Sequence, residues 1–225
     1  MPRILRKRRK VKRRLLGLIS YQPRWGLSIW GWLIMVVTIA LLVWSILFKL
    51  EPFLAYSAPV EAEVLIVEGW IGDQGIIGAI KEFESQPYKL LITAGSNFGR
   101  GEYLSEYKDF AHLSEATLVT LGFDPEKIQP IPTPIAERDR TLTSAVKVKK
   151  WLTQKDLKTQ GINLYTVDVH SRRTWLLYKK ILTPIDVGII SHPPQDYDPQ
   201  RWWTTSEGFR KVFSETLAYV YAKFL

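Results

Sequence analysis

Apolar positions form one long run near the start of the chain and short runs after it. Residues 26–48 carry no charge, and at about 1.5 Å per residue they make about 34 Å of helix, enough to cross a hydrocarbon core of about 30 Å. Beyond them the pattern changes. Residues 62–67, 88–93, 162–167 and 186–190 are short apolar runs rich in β-branched side chains, as strands buried on both faces are. Helical spacing lies between them. Ile76, Ile77, Ile80 and Phe83 follow a capping Asp73; Tyr107, Phe110, Ala111, Ser114, Leu118 and Leu121 end at Gly122; Leu142, Ala145, Val148 and Leu152 follow Thr141. Residues 127–131 predict a short strand weakened by Pro130 and Pro132, and Ser171 opens a helix through Leu182. Phe209, Val212, Phe213, Leu217, Val220 and Phe224 mark a long amphipathic helix. This alternation predicts an α/β fold, a Rossmann-like open, mostly parallel sheet with helices on both faces, preceded by one transmembrane helix.

Charge sharpens the division. Of 31 Lys and Arg, eleven fall in residues 1–50, which hold no acid; twenty remain against 22 acids beyond. The expected organisation is a basic cytoplasmic tail (1–25), the membrane span (26–48), a linker (49–60) and the α/β domain (61–225). Nine cations between Arg3 and Arg14 abut the span, so the positive-inside rule puts the N-terminus in the cytoplasm and the domain outside. Trp25, Trp30, Trp32 and Trp44 lie toward the ends of the run, where interfacial rings collect. A cleavable signal has an apolar core of about 7–15 residues, shorter than this one. The body is not basic, so nucleic acid is not an expected partner, and the bilayer accounts for the head. With no cysteine there is no disulfide, thiolate nucleophile or Cys-ligated zinc.

Ligands of open α/β sheets bind beyond the carboxyl ends of the strands. Those ends deliver Glu68, Gly69 and Trp70; Thr93, Gly95 and Ser96; and, after residue 167, Asp168, His170, Arg172 and Arg173, while Glu137, Arg138, Asp139, Arg140 and Thr141 approach another helix start. Arginine at a helix N-terminus opposes the macrodipole and needs a reason, and guanidinium forks suit phosphate or carboxylate. The site is therefore expected to attract anions. Arg138, Arg140, Arg172 and Arg173 would hold the ligand, Gly69 and Gly95 would give backbone access, and Trp70, Thr93, Ser96 and Thr141 would line the site. His170 is the candidate acid or base, with Glu68 orienting water or substrate. Each has a plainer alternative in ion pairing, capping or packing. Glu215 either pairs with a site arginine or is solvated. His112 and His192 are not spaced to join His170 around a metal, and neither a metal nor a cofactor is expected. No glycine-rich dinucleotide motif, P-loop or nucleophile elbow is present.

The segments VLIVEGW (64–70), LITAGS (91–96), SEATLVTLGF (114–123), DRTLTSA (139–145), VDVHSRRT (167–174) and WWTTSEGFRKVFSETLAY (202–219) together resemble the YdcF/SanA/ElyC-like domain family. The resemblance implies a Rossmann-like domain tethered to a bacterial inner (plasma) membrane by one helix and serving envelope maintenance. It also carries polar positions onto Gly69, Thr93, Gly95, Glu115, Thr141, His170 and Arg173. Many members have a longer glycine run where Glu68-Gly69-Trp70 stands, which fits a different ligand here. The expected function is binding, with or without processing, of an anionic, phosphate-bearing envelope metabolite, free or lipid-linked; an enzyme of this kind would be a phosphate-ester hydrolase or transferase. The alternatives are a non-catalytic scaffold for envelope-protein partners and a nucleotide or S-adenosylmethionine binder.

Overall fold

The computed structural model describes residues 13–14, 19–21, 25–99, 104–134 and 139–225, in two compact units, Met1–Phe48 and Lys49–Leu225. In the first unit, β1 (Arg13–Arg14), β2 (Ile19–Tyr21) and β3 (Trp25–Leu27) form a small antiparallel sheet. The pattern of the tail did not predict these strands, because two or three residues are too few to show a period. Next comes α1 (Ile29–Leu54), the one helix among the described residues long and apolar enough to cross a membrane. Its Trp30, Leu33, Val37, Leu41 and Trp44 are all exposed, unlike the side chains of a buried core helix.

Helix α1 runs six residues past the expected end of the span, and its last turn, which contains Pro52, belongs to the second unit rather than to a linker. The last carbonyls of a helix lack intrahelical donors. Here the start of α5 (Ser171–Leu182) supplies them. The Ser171 hydroxyl donates to the Leu54 carbonyl at 3.0 Å, and Arg172 Nε donates to the Phe53 carbonyl. The Arg172 guanidinium lies over the rings of Phe53 and Tyr56, 4.0 and 4.2 Å from their centroids. Leu54 and Glu51 are buried in this contact.

The second unit is an open sheet of five parallel strands in the order β6-β5-β4-β7-β8, with β4 (Val64–Glu68) at its centre. On its two sides are β5 (Leu90–Ser96) and β7 (Gly161–Val167), with Val64 opposite both Leu90 and Ile162. The edges are β6 (Ile128–Thr133) and β8 (Asp186–His192). Pro130 and Pro132 share one parity, so the alternate residues of β6 can keep the ladder with β5, and an edge strand tolerates the missing donors. Side chains alternate between two cores. Leu65 and Val67 pack with α2 (Gly72–Ser85) and α3 (Phe110–Thr120), while Val64 and Ile66 pack with α4 (Arg140–Gln154) and α5. The chain winds outward from β4 to β6, crosses over through α4 to β7, and winds the other way. The switch point thus lies between the ends of β4 and β7, the place where such sheets take ligands.

Several local expectations change. The N-cap position of α2 is Ile71, so Asp73 lies in its first turn rather than capping it. The residue that starts α4 is Asp139, in the left-handed region at φ 54°, and not Thr141. An amphipathic stripe ordinarily faces the core. In α6 (Ser206–Ala222) the inward positions are Gly208, Val212 and Ala222, whereas Phe209, Phe213, Leu217 and Val220, with Phe224 just beyond, point outward. Trp202 is buried and stacks on Phe209, clamping the start of this helix.

Replacing Arg172 by Ala removes a helix cap and two cation–π contacts. The expected result is faster amide exchange confined to the end of α1, around residues 51–56, and a stability loss of about 1–2 kcal/mol. Hydrogen–deuterium exchange of the full chain in detergent measures it, with Lys180→Ala on the exposed side of α5 as the silent control.

Candidate functional site

A cavity of about 620 Å³ opens at the switch point, within the range usual for small-molecule sites. The end of β4 gives it Glu68 and Trp70, and the end of β5 gives it Gly95 and Ser96. The first turns of α4 give Asp139, Arg140, Thr141 and Ser144. From the β7–α5 junction and α5 come His170, Arg173 and Leu177. Phe110 of α3 and the residues Glu215, Ala218, Tyr221, Ala222 and Leu225 of α6 and its end close the wall.

Local backbone sets the key side chains. After β7 the chain turns sharply at Asp168, a non-glycine residue at φ 59°. Its carboxylate accepts from the Val169 amide at 2.6 Å and from the Tyr197 hydroxyl, and its carbonyl accepts from Ser191. Asp tolerates this conformation better than most residues, and the hydrogen bonds offset the strain. Burial pushes the Asp168 carboxyl up, although those same bonds and Lys211 pull it down. The turn brings His170 back over the end of β4.

There His170 sits between two carboxylates. Its Nδ1 is 3.0 Å from Glu215 Oε1, and its Nε2 is 3.4 Å from Glu68 Oε2. The second contact is an ion pair without hydrogen-bond geometry, and Nε2 is sealed from solvent with no hydrogen-bond partner among the described residues. Arg173 closes the cluster, donating from Nε to Glu215 Oε2 at 2.8 Å, from Nη2 to Glu215 Oε1 at 3.0 Å, and from Nη1 to Thr141 Oγ1 at 3.2 Å. Glu68 also accepts from the hydroxyls of Thr166 and Thr174. Trp70 stands edge-on to the imidazole, 4.8 Å between centroids.

The charges settle one another. Burial alone would lower the His170 pKa, but the charges of Glu68 and Glu215 and their contacts raise it to about 9. Burial would raise Glu215, yet its bonds to His170 and Arg173 bring it to about 2. Glu68 is likewise pushed up by burial and carried below its usual range by His170, Thr166 and Arg173. Near neutral pH the cluster is two carboxylates, one imidazolium and one guanidinium, with no net charge. An imidazolium has no lone pair to act as base, and a carboxylate of depressed pKa is a weak one. Nδ1 therefore donates to Glu215, and the nearby Arg173 Nη2 spends its own hydrogen on the same carboxylate.

Of the residues the sequence singled out, the structure brings Glu68, Trp70, Gly95, Ser96, Arg140, Thr141, His170 and Arg173 to one cavity. Three others go elsewhere. Arg172 caps α1 and does not line the cavity. The Thr93 hydroxyl is buried and donates to the Ala111 carbonyl. Gly69 gives room to α3 rather than to a ligand, since a Cβ there would meet the Phe110 carbonyl oxygen at 2.4 Å. Arg138 and Glu137 lie outside the described residues. Glu215 is resolved as a site residue paired with Arg173, while Glu115 is not among the cavity residues. Sequence reasoning missed Ser144, Leu177, Tyr221 and the two threonines holding Glu68. The available signal for Thr166 was a threonine hydroxyl near the carboxyl end of the apolar run of β7. Among the described residues no group of three His, Asp or Glu is placed to hold a metal.

The pH dependence follows from these shifts. His170 has a folded pKa above its unfolded value of 6.5, so its stabilisation is complete below about 6.5 and is lost as pH rises through about 9. Glu215, depressed from 4.5, contributes fully above 4.5 and loses its contribution as pH falls toward 2. The contribution of this cluster to stability should therefore be greatest between these limits. Nuclear magnetic resonance titration of the His170 ring should give a midpoint near 9, and Glu215→Gln should move that midpoint down.

No protein-family model matches the chain, and no curated protein matches it significantly. The likeness to the YdcF/SanA/ElyC-like group thus stands on the motifs alone.

Proposed function

We propose that the chain is a single-pass membrane protein whose α/β domain binds an anionic, phosphate-bearing metabolite in the switch-point cavity. The observation that carries this reading is the start of α4. Asp139 makes no side-chain cap, so the first amides of α4 keep no donor-consuming side chain of their own, and Arg140, Thr141 and Ser144 line the cavity beside them. A helix N-terminus with a guanidinium at its rim favours phosphate oxygens. No described carboxylate forms an ion pair with Arg140, whereas the charge of Arg173 is already taken by Glu215. The hydroxyls of Ser96, Thr141 and Ser144 offer further donors, and Trp70, Phe110, Leu177 and Tyr221 offer an apolar wall for the rest of the ligand.

Binding without turnover fits this chemistry best. His170 and Glu68 are committed to a closed ion cluster and serve as cross-links under the cavity floor. A dinucleotide reading is disfavoured by the first strand–helix turn, where a pyrophosphate would sit: α3 crowds Gly69, and Trp70 stands beside it. Topology comes from the nine cations before the span, which favour a cytoplasmic N-terminus and an extracytoplasmic domain. The motif likeness adds a bacterial plasma membrane and an envelope ligand, free or lipid-linked.

Thermal denaturation of the full chain in detergent, with hexose 1-phosphates, isoprenyl phosphates, nucleotides and S-adenosylmethionine, tests this. A ligand at 100 times its dissociation constant should add about 2.7 kcal/mol of stability. Arg140→Ala should abolish that gain while leaving the unliganded stability within about 0.5 kcal/mol of the parent, as exposed substitutions do. Stabilisation by no phosphate compound, or by all of them equally in Arg140→Ala, would reject the reading.

A further inference from the structure

Among the described residues the outward stripe of α6 meets Trp202 at Phe209 and is otherwise left exposed. Phe209, Phe213, Leu217, Val220 and Phe224 are 52, 55, 59, 49 and 85% exposed, and they fall on one face at intervals of three and four residues. Elsewhere in residues 61–225 the exposed large apolar side chains, such as Leu104, Val119 and Val146, are scattered. A contiguous apolar strip of this length marks a contact surface.

Its neighbour says what covers it. Tyr219, between Leu217 and Val220 in sequence, packs edge-on against Phe53 of the last turn of α1, 5.5 Å between ring centroids. Phe53 is itself 42% exposed, and it lies five residues, about 7.5 Å of helix, beyond Phe48 where the uncharged run ends. The last turn of α1, which follows directly on that uncharged run in sequence, thus meets α6 through an aromatic contact. Lys223, with its ammonium 5.5 Å from the Tyr219 ring centroid, stands beside the stripe, the pairing of cation and aromatic ring that suits a headgroup layer.

We propose that α6 is an interfacial helix that lies on the membrane crossed by α1, with Phe209, Phe213, Leu217, Val220 and Phe224 set among the lipids. The inference rests on α1 being a membrane span and not on the cavity's ligand. A second copy of the chain would have to reach this face by diffusion, whereas the tether makes contact with the bilayer intramolecular. Helix α6 is two-sided: Glu215, Ala218 and Tyr221 of the same helix line the cavity. A ligand with an apolar tail could then pass between lipid and cavity along one element.

The chain has no cysteine, so single labels are clean. Leu217→Cys on the stripe, Lys147→Cys on the exposed side of α4 and Leu41→Cys within the span would each carry a nitrobenzoxadiazole dye. The full chain would be placed singly in phosphatidylcholine–phosphatidylglycerol nanodiscs. Dyes at 41 and 217 should be quenched by doxyl lipids and bleached by dithionite several-fold more slowly than the dye at 147. If 41 is quenched but 217 bleaches as fast as 147, the interfacial helix is rejected while the anchor stands. Protection of 217 only in discs holding two chains overturns the proposal in favour of a dimer face. Failure at 41 as well rejects both anchor and inference.

Discussion

The imidazolium of His170 between two carboxylates joins three parts of the fold. Glu68 ends the central strand, His170 and Arg173 belong to the β7–α5 junction, and Glu215 comes from α6. Burying ions is costly, and what repays the cost is mutual compensation together with the threonine hydroxyls on Glu68 and Thr141 on Arg173. Removing one partner leaves the others buried and uncompensated, which costs about 3–5 kcal/mol in comparable clusters. The cavity exists because this cluster holds α6 across the ends of the strands. Its chemistry is consequently divided, with a neutral, closed floor below and an open rim formed by α4 above.

The start of α5 serves a second constraint only one residue away. Ser171 and Arg172 hold the end of α1, and His170 and Arg173 hold the cavity floor. Successive helical residues point about 100° apart, so one turn can face two neighbours. This resolves why arginines stand where the macrodipole disfavours them. Arg172 answers to the carbonyl end of α1 and two aromatic rings, and Arg173 answers to a carboxylate. Neither charge faces the helix start without compensation.

Much of this was legible in the sequence. The apolar runs gave the strands because strands buried on both faces leave no polar alternation to confuse, and Glu68, His170 and Arg173 were singled out because they lie at or after strand ends, which the structure brings to one cavity. The misses have physical causes. Thr93 and Gly69 sit at strand ends too, but α3 passes close over them, a packing relation that no local pattern encodes. Arg172 and Arg173 are adjacent and chemically alike, so only the three-dimensional path of α1 separates them. The extent of α1 was underread because Lys49, Glu51 and Pro52 look like the end of a helix; Glu51 is buried by the second unit instead.

Helix α6 shows most clearly where periodicity stops deciding. It carries two interleaved sets of positions at the same spacing. One is Gly208, Val212, Glu215, Tyr219 and Ala222; the other is Phe209, Phe213, Leu217, Val220 and Phe224. The second is the more apolar, so a rule that sends the apolar face inward selects it. The fold turns the first inward because Gly208 leaves room for Trp202 and Tyr197, and because the acid among them finds His170 and Arg173. A soluble domain would rarely retain the richer apolar face in water. On the proposal that the long uncharged helix spans a membrane, the bilayer is a second apolar medium, and against it both faces of α6 lie as the hydrophobic effect requires.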